Sequence, residues 1–487
     1  MSPFDSARYG ALLEGLEANV AYFSEICEDQ YALRLDSEFF LKDRVAAHRR
    51  IQAMKNTETL GKTCSKIVQG PNPVFAEEGI QCLNGKNIFF GTADAGEPNY
   101  VSVEEFQRLQ GYALKLGDLV ITLKHASKIG RVWIIRDDSR RLFTRNVGLL
   151  RLEDHASIRP EVLLFTLWTS FYQTVLDRIS TGGTSGQITL ATTPLKALPI
   201  PIYGDRFQDA LTKLFNLAEK EMICERDAAL LADYILMTAL RLDEWQPPDD
   251  LSYICRADEV LIAGRLDAEH FQPKYKALLD HVRDHAVRCR VVDEIAEKCD
   301  RGEQPKYSED GTLAVVTSQH ILENGLDYEG FERTDETYWE HKDFISAQIR
   351  RGDILTYTTG ANVGRTAAYL SDERALASNH VNLLRLNEEN PIYVSVVMNS
   401  MIGRMQTRML VTGSAQVELY PQDIRRFVIP FVDEESERVI VDAVMRAYSS
   451  RRKAHRLLES AKRSVEIAIE ESEEKALAFL READAED

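Results

Sequence analysis

Gly117-Asp118-Leu119-Val120 and Gly352-Asp353-Ile354-Leu355 are one phrase written twice, 235 residues apart. In each, a glycine and an acid open an apolar run, the pattern of a turn leading into a buried strand. Alone, such a tetrapeptide is common. Here it is flanked by further pairs in the same order. Upstream, Arg34-Leu35-Asp36-Ser37-Glu38-Phe39-Phe40 returns as Arg265-Leu266-Asp267-Ala268-Glu269-His270-Phe271, Gly70 and Pro73 return as Gly302 and Pro305, and Asn87-Ile88 returns as His320-Ile321. Downstream, Ile129-Gly130-Arg131 returns as Val363-Gly364-Arg365, and Leu149-Leu150-Arg151-Leu152 as Leu383-Leu384-Arg385-Leu386. Thr184-Ser185-Gly186-Gln187 through Ile200-Pro201 returns as Gly413-Ser414-Ala415-Gln416 through Ile429-Pro430. The spacings stay between 229 and 235 residues, the drift that loop insertions and deletions leave between copies of one fold. The chain is an internal duplication.

Each copy reads in two parts. The first, 34–203 and 265–432, carries short β-type runs such as Val132-Trp133-Ile134-Ile135 and Ala314-Val315-Val316, broken by turn residues and by apolar helical stretches. The second is helical. Ile440, Val444, Ala447, Ala454, Leu458, Ala461, Val465 and Ala468 keep heptad spacing, with Arg451 interrupting the seam. The first copy offers a shorter apolar stripe, Phe207, Leu211, Leu214 and Ala218, then Leu231 and Ile235. Helices of such length reach roughly 50 Å. The expected organisation is a helical segment at 1–33, a first domain at 34–203, a spacer helix at 204–245, a linker at 246–264 around Pro247-Pro248, a second domain at 265–432, and a distal helix at 433–487 whose acidic tail is either a solvated helix end or frayed. Two readings of the helices stay open: an antiparallel coiled coil between pseudo-two-fold copies, or a cap on each domain.

The 487 residues suffice for two or three domains, and 44% apolar with 28% charged content is that of a globular chain. No apolar run of about 18 residues is present, so no membrane span is expected. Met1-Ser2-Pro3-Phe4-Asp5 is unlike a secretory signal. Seven scattered cysteines without a Cys-x-x-Cys pair argue against a zinc site or disulfide framework, and point to the cytoplasm. A net charge of −18 means that binding to nucleic acid requires basic residues gathered on one surface, or a partner that supplies backbone contacts.

The second copy resembles the target-recognition domains of specificity subunits from type I restriction-modification systems. The resemblance rests on Gly352 to Leu355, the loop Thr358-Thr359-Gly360-Ala361-Asn362-Val363-Gly364-Arg365, Ser378-Asn379-His380, Thr412-Gly413-Ser414-Ala415-Gln416 and Ile429-Pro430. The first copy departs in its loop Thr122 to Arg131, and has Arg145-Asn146 where Asn379-His380 would fall. The resemblance covers nearly the whole chain. It implies a mixed α/β fold, with two similar α+β target-recognition domains joined by two long helices in an antiparallel coiled coil. It also implies a non-catalytic adaptor that binds double-stranded DNA at a split target and docks two methyltransferase subunits, with restriction or translocase subunits as further partners. S-adenosylmethionine would belong to the methyltransferase, so no cofactor is expected here.

Several residues are candidates to meet DNA, each with a plainer alternative. Thr358, Thr359, Asn362 and Arg365 sit in a glycine-containing loop where backbone can approach a ligand, amide can pair with adenine and guanidinium with guanine or phosphate; the alternative is a hairpin loop with a salt-bridged arginine. Lys124, His125, Lys128 and Arg131 gather cationic groups in eight residues, as does a merely solvated loop. Arg145, Asn379 and His380 stand beside a strand, where His380 could equally be a satisfied core residue. Gln187 and Gln416 close small polar loops as base readers or turn formers. Lys62, Lys66, Lys306 and Gln319 are candidate backbone or edge contacts. Arg451, Arg452, Lys453 and Arg456 form a basic stretch that either faces solvent, meets phosphates in the spacer or meets an acidic partner surface.

Chemistry of other kinds is missing from the sequence. There is no Asn-Pro-Pro-Tyr-type methyltransferase signature, since Asn72-Pro73-Val74-Phe75 lacks a glycine-rich cofactor loop. No P-loop, His-Glu-x-x-His, Gly-x-Ser-x-Gly or Pro-Asp…Glu-x-Lys nuclease core is found. The rival readings are an enzyme with a divergent nuclease or methyltransferase site, and an acidic scaffold or DNA mimic that occupies DNA-binding partners.

Overall fold

In a computed structural model, which describes residues 36–126, 128–182, 186–248, 252–322, 325–413 and 417–485, the Gly-Asp phrase opens the strands Leu119–Thr122 and Ile354–Tyr357. Both are buried almost throughout, as continuous apolar runs in a covered sheet should be. The expected segment at 1–33 and Gln416 lie outside the described residues.

The chain divides into two units, one built from residues up to Lys220 together with those from Lys453 onward, the other from Glu221–Arg452. Each holds one head, and the duplication is complete at the level of strand order. In the first unit an antiparallel sheet runs Cys64–Gln69, Val147–Leu152, Leu119–Thr122, Val132–Ile134. In the second it runs Ala296–Arg301, Val381–Leu386, Ile354–Tyr357, Thr366–Ala368. Even the register shift is repeated, between Cys64 and Lys66 and between Ala296 and Lys298. A smaller mixed sheet follows in each, built on the parallel pairs Ile80–Leu83 with Arg141–Phe143 and Leu313–Val316 with Ala375–Ala377. Each head is backed by a helix pair that starts on a proline, Pro160–Trp168 with Ser170–Ile179 and Pro391–Asn399 with Met401–Leu410. The fold is thus mixed α/β, with two similar α+β heads and two long helices.

The long helices are Asp205–Ala239 and Glu434–Glu470. Within the second unit they run antiparallel. Ala232, Leu236 and Leu240 share one core cluster with Ile440 and Ala443, while Arg451 bonds Glu225 further along. Leu278 and Phe427 of the head belong to the same cluster, so here the helices both pair and cap. Within the first unit Phe207, Leu211 and Ala218 are buried on one helix, and Ala461 and Val465 on the other. Glu466 accepts from the Ser170 N–H at 3.0 Å and ties the distal helix to the head.

Four expectations are corrected. The first helix ends at Ala239 rather than 245: Arg241 takes φ 51°, and the His281 ring nitrogen meets the Leu240 carbonyl at 2.9 Å. Its buried stripe continues through Ala228 and Ala232 rather than Leu231, which is exposed. The segment expected as linker contains the helix Ala257–Ala263. The tail, expected as a solvated helix end or a frayed one, is a helix, Glu473–Ala485, but it is not wholly solvated, since Ala476 and Leu480 are buried.

Candidate nucleic-acid interface

At one end of each head, four loops meet through backbone hydrogen bonds that the two copies share. In the second head Gly302 N–H donates to Val381 O (3.0 Å), Ser378 N–H to Val316 O (3.0 Å), Thr358 N–H to His380 O (3.1 Å) and Leu419 N–H to Thr358 O (2.9 Å). In the first, Gly70 N–H donates to Val147 O (3.0 Å), Thr144 N–H to Leu83 O (2.9 Å), Leu123 N–H to Asn146 O (2.8 Å) and Leu190 N–H to Leu123 O (2.8 Å). The glycine is required by closeness. A Cβ at Gly70 or Gly302 would meet the carbonyl oxygen of Thr144 or Ala377 at 2.4 or 2.0 Å. Asn87 and His320 do one job in both copies, accepting the N–H of Asn84 and of Thr317 at 2.8 and 2.9 Å.

On this shared frame the exposed tips differ. The second corner presents Asn362, Asn379, His380 and Gln319 in the open, with Thr359 and Arg365 half-buried. Among the described residues the Arg365 guanidinium has neither a carboxylate nor a hydrogen-bond partner, so the salt-bridged alternative does not hold. His380 is no core residue; it lies exposed at the turn, and its carbonyl accepts from the Thr358 hydroxyl at 2.9 Å. Thr358 itself is fully buried and shapes the turn. Gly364 takes φ +91° and faces inward, where a Cβ would lie 2.5 Å from the Thr407 hydroxyl; it serves helix packing, not ligand approach.

The first corner is cationic. Lys124 and His125 form a short strand paired with Ile188–Thr189, which follows the exposed Gln187. Lys128 stands 5.5 Å over the Phe90 ring and Arg131 4.3 Å over Phe89, both rings being about 40% exposed. Arg145 is exposed, and its carbonyl accepts from Gln69. Among the described residues Lys86, Lys124, Lys128, Arg131 and Arg145 take part in no salt bridge. Burial, with the Arg131 charge second, holds the His125 pKa below its ordinary value.

Other candidates do not reach these corners. Lys62 and Lys66 belong to the opposite end of the strand Cys64–Gln69, whose Gln69 end meets the corner. Lys66 is also engaged, over the Tyr112 ring at 5.6 Å. Lys306 is carried away to Thr334, which pairs with Leu313 at the far end of its strand. Arg451 is held by Glu225 at 2.6 Å, and Arg452 lies 5.7 Å from the Tyr448 ring. Lys453 and Arg456 are exposed on the distal helix.

Some corner residues escaped the sequence reading. Arg301 ends a strand beside the loops, ion-paired with Glu418 at 2.7 Å and 5.0 Å from the Tyr420 ring. Bonds from Tyr420 and Arg301 lower the Glu418 pKa. Only strand pairing brings Arg301 here. Lys86 and the Phe89-Phe90 pair did carry a signal, as apolar rings in a polar, glycine-bounded loop.

No group of three or more His, Cys, Asp or Glu among the described residues is placed to hold a metal ion, and no helix there is long and apolar enough to cross a membrane. No protein-family model matches the chain, and no curated protein matches it. Among solved structures, the chain aligns with the S subunit of a type I restriction-modification system from M. genitalium, at 13% identity and a TM-score of 0.42 over 87% of this chain and 95% of that one. The HsdS subunit from Thermoanaerobacter tengcongensis aligns at 15% identity and a TM-score of 0.26, covering 88% of this chain and 96% of that one. A structure concerned with complex assembly and conformational transition of the type I R-M system aligns at 13% and 0.27, covering 88% and 97%.

Proposed function

We propose that the chain is the DNA-specificity subunit of a type I or type I-like modification complex, with each head reading one half of a split target. The observation that carries this is the first corner. In a chain of net charge −18, Lys86, Lys124, Lys128, Arg131 and Arg145 gather there and form no salt bridge among the described residues, although the charges of Lys128 and Asp177 do act on each other. Exposed cations gathered on one surface of an acidic chain suit a polyanion, and a phosphate backbone is one. The duplication supports two readers. Frame residues repeat while the tips change, as Lys124-His125 against Thr359-Gly360 and Arg145-Asn146 against Asn379-His380. A common scaffold with different base-facing groups reads different sequences.

Methyltransferase subunits then supply catalysis, S-adenosylmethionine and most backbone contacts, and this chain is not itself an enzyme. Restriction or translocase subunits are compatible with the same role. Co-expression with the neighbouring methyltransferase, followed by methylome sequencing, tests the reading. A methylated motif in two parts, separated by several unspecified base pairs, is expected; a continuous motif would refute it. Turnover by the purified chain alone would favour a divergent enzyme, and inhibition of a partner's DNA binding would favour an acidic mimic.

A further inference from the structure

The two copies fill one equivalent place differently. In the first unit the strand Val132–Ile134, the helix Pro160–Trp168 and the long helix meet on aromatic rings. Trp133 stacks on Trp168 with centroids 5.6 Å apart, Phe215 lies 5.7 Å from Trp133, and Phe165 lies 5.7 Å from Trp168. Arg136 seals the edge, ion-paired with Glu161 and Glu219 at 2.8 Å each.

Strand register and helix bounds carry these positions onto the second unit. Val120 opposite Trp133 becomes Leu355 opposite Ala367. The two nine-residue helices end on Trp168 and on Asn399, which also sets Phe165 against Val396. The long helices begin at Asp205 and Glu434, so Phe215 corresponds to Val444 and Glu219 to Tyr448; Arg136 corresponds to Leu370. All six replacements line a cavity of about 400 Å³ within the second unit. Protein interiors are packed to the density of organic crystals, so exchanging two indoles and two phenyl rings for smaller side chains opens real space. Its size falls within the range of small-molecule sites.

The lining states the chemistry. Val396, Val444, Ala367 and Leu326 make an apolar floor, and the Tyr328 and Tyr448 rings, 5.5 Å apart, make an aromatic wall. The charged groups of the lining are Arg226, Arg404, Arg451 and Asp233. Arg451 is braced by Glu225 and Arg226 by Asp227. We propose that this cavity binds a small planar aromatic anion, its ring taking the place that Trp133 and Trp168 occupy in the first unit, and its carboxylate or phosphate meeting the arginines. The site is independent of the DNA-reading proposal.

Calorimetry on the full chain tests it with three probes: indole-3-carboxylate, adenosine monophosphate and neutral indole. At least one anion should bind below millimolar, at least ten-fold more tightly than indole, and the preferred anion tells carboxylate from phosphate. Ala367→Trp and, separately, Val396→Phe restore first-copy bulk and should weaken that binding ten-fold or more. Arg404→Gln keeps the cavity and should weaken only the anions, which guards against a variant that merely misfolds. The proposal is overturned by no binding of either anion at millimolar concentration, by indole binding as tightly as the anions, or by affinities unchanged in the folded variants.

Discussion

Arg385 closes a two-bond fork on Asp353, Nε to Oδ1 and Nη2 to Oδ2 at 2.7 Å each, and Arg151 closes the same fork on Asp118 at the same two distances. The acid of the Gly-Asp phrase and the arginine of the Leu-Leu-Arg-Leu run are thus one device, used twice. Each aspartate also accepts a turn N–H, from Arg350 and from Lys115. Both aspartates are almost fully buried, which makes the fork costly to break on one side only.

Arg385→Met should therefore destabilise the chain by about 3 kcal/mol, because it strands the Asp353 charge in the interior. Adding Asp353→Asn should recover part of the loss, since it removes the charge and keeps an acceptor for the turn. Urea denaturation of both variants measures this. A single-variant loss under about 1 kcal/mol would put the fork at the value of a surface pair.

Arg365→Ala should cost about 1–3 kcal/mol of binding at one half-site while leaving the other intact. Anisotropy titrations with duplexes altered in either half, in the presence of the methyltransferase, separate the two. Equal loss at both halves would point to misfolding rather than to a lost contact.

Under the proposed function, His125 should tie DNA binding to pH. Burial and the neighbouring Arg131 hold its pKa below the ordinary value, so the ring stays neutral in the free chain to lower pH than an exposed histidine. The unfolded chain takes the proton more readily, so this group's contribution to stability is present above the ordinary value and fades as pH falls. A phosphate beside the ring would reverse the preference. Affinity for the first half-site should rise between pH 7.5 and 6, with uptake of up to about one proton per complex, and His125→Gln should flatten the profile. A wild-type profile as flat as the variant's would remove His125 from the interface.

Thiol reactivity reports on the two heads. Burial pushes the thiols of Cys64 and Cys82 up to about 12 and that of Cys299 up to about 11. At pH 8 no more than about one in a thousand of each would be thiolate, the reactive form. Maleimide labelling of the native chain, read by mass spectrometry, should modify Cys224 and Cys255 first and spare these three. Early labelling of Cys299 would mean that the second head opens far more readily than its packing indicates.

The duplication, the strands that carry it and the existence of two long helices were legible along the chain. Order, spacing and hydrophobic period are local properties, and two copies reinforce each signal. Candidates on the tips of the repeated loops, Lys128, Arg131, Asn362, Arg365, Asn379 and His380, came together because the loops themselves are repeated. Lys62, Lys66 and Lys306 looked equally basic and went elsewhere. Which end of a strand faces the corner depends on its partner more than eighty residues away, and composition does not encode that.

By itself, then, the sequence determined that one fold is written twice and which loops vary between its copies. Tertiary structure alone decided that Asp353 and Arg385 form a single buried device, that Arg301 joins the corner, and that Ala367 and Asn399 border a cavity where Trp133 and Trp168 stack. The physical reason is the same in each case: burial, pairing and packing belong to neighbours in space, and those neighbours are set by sheet register and helix contact rather than by position along the chain.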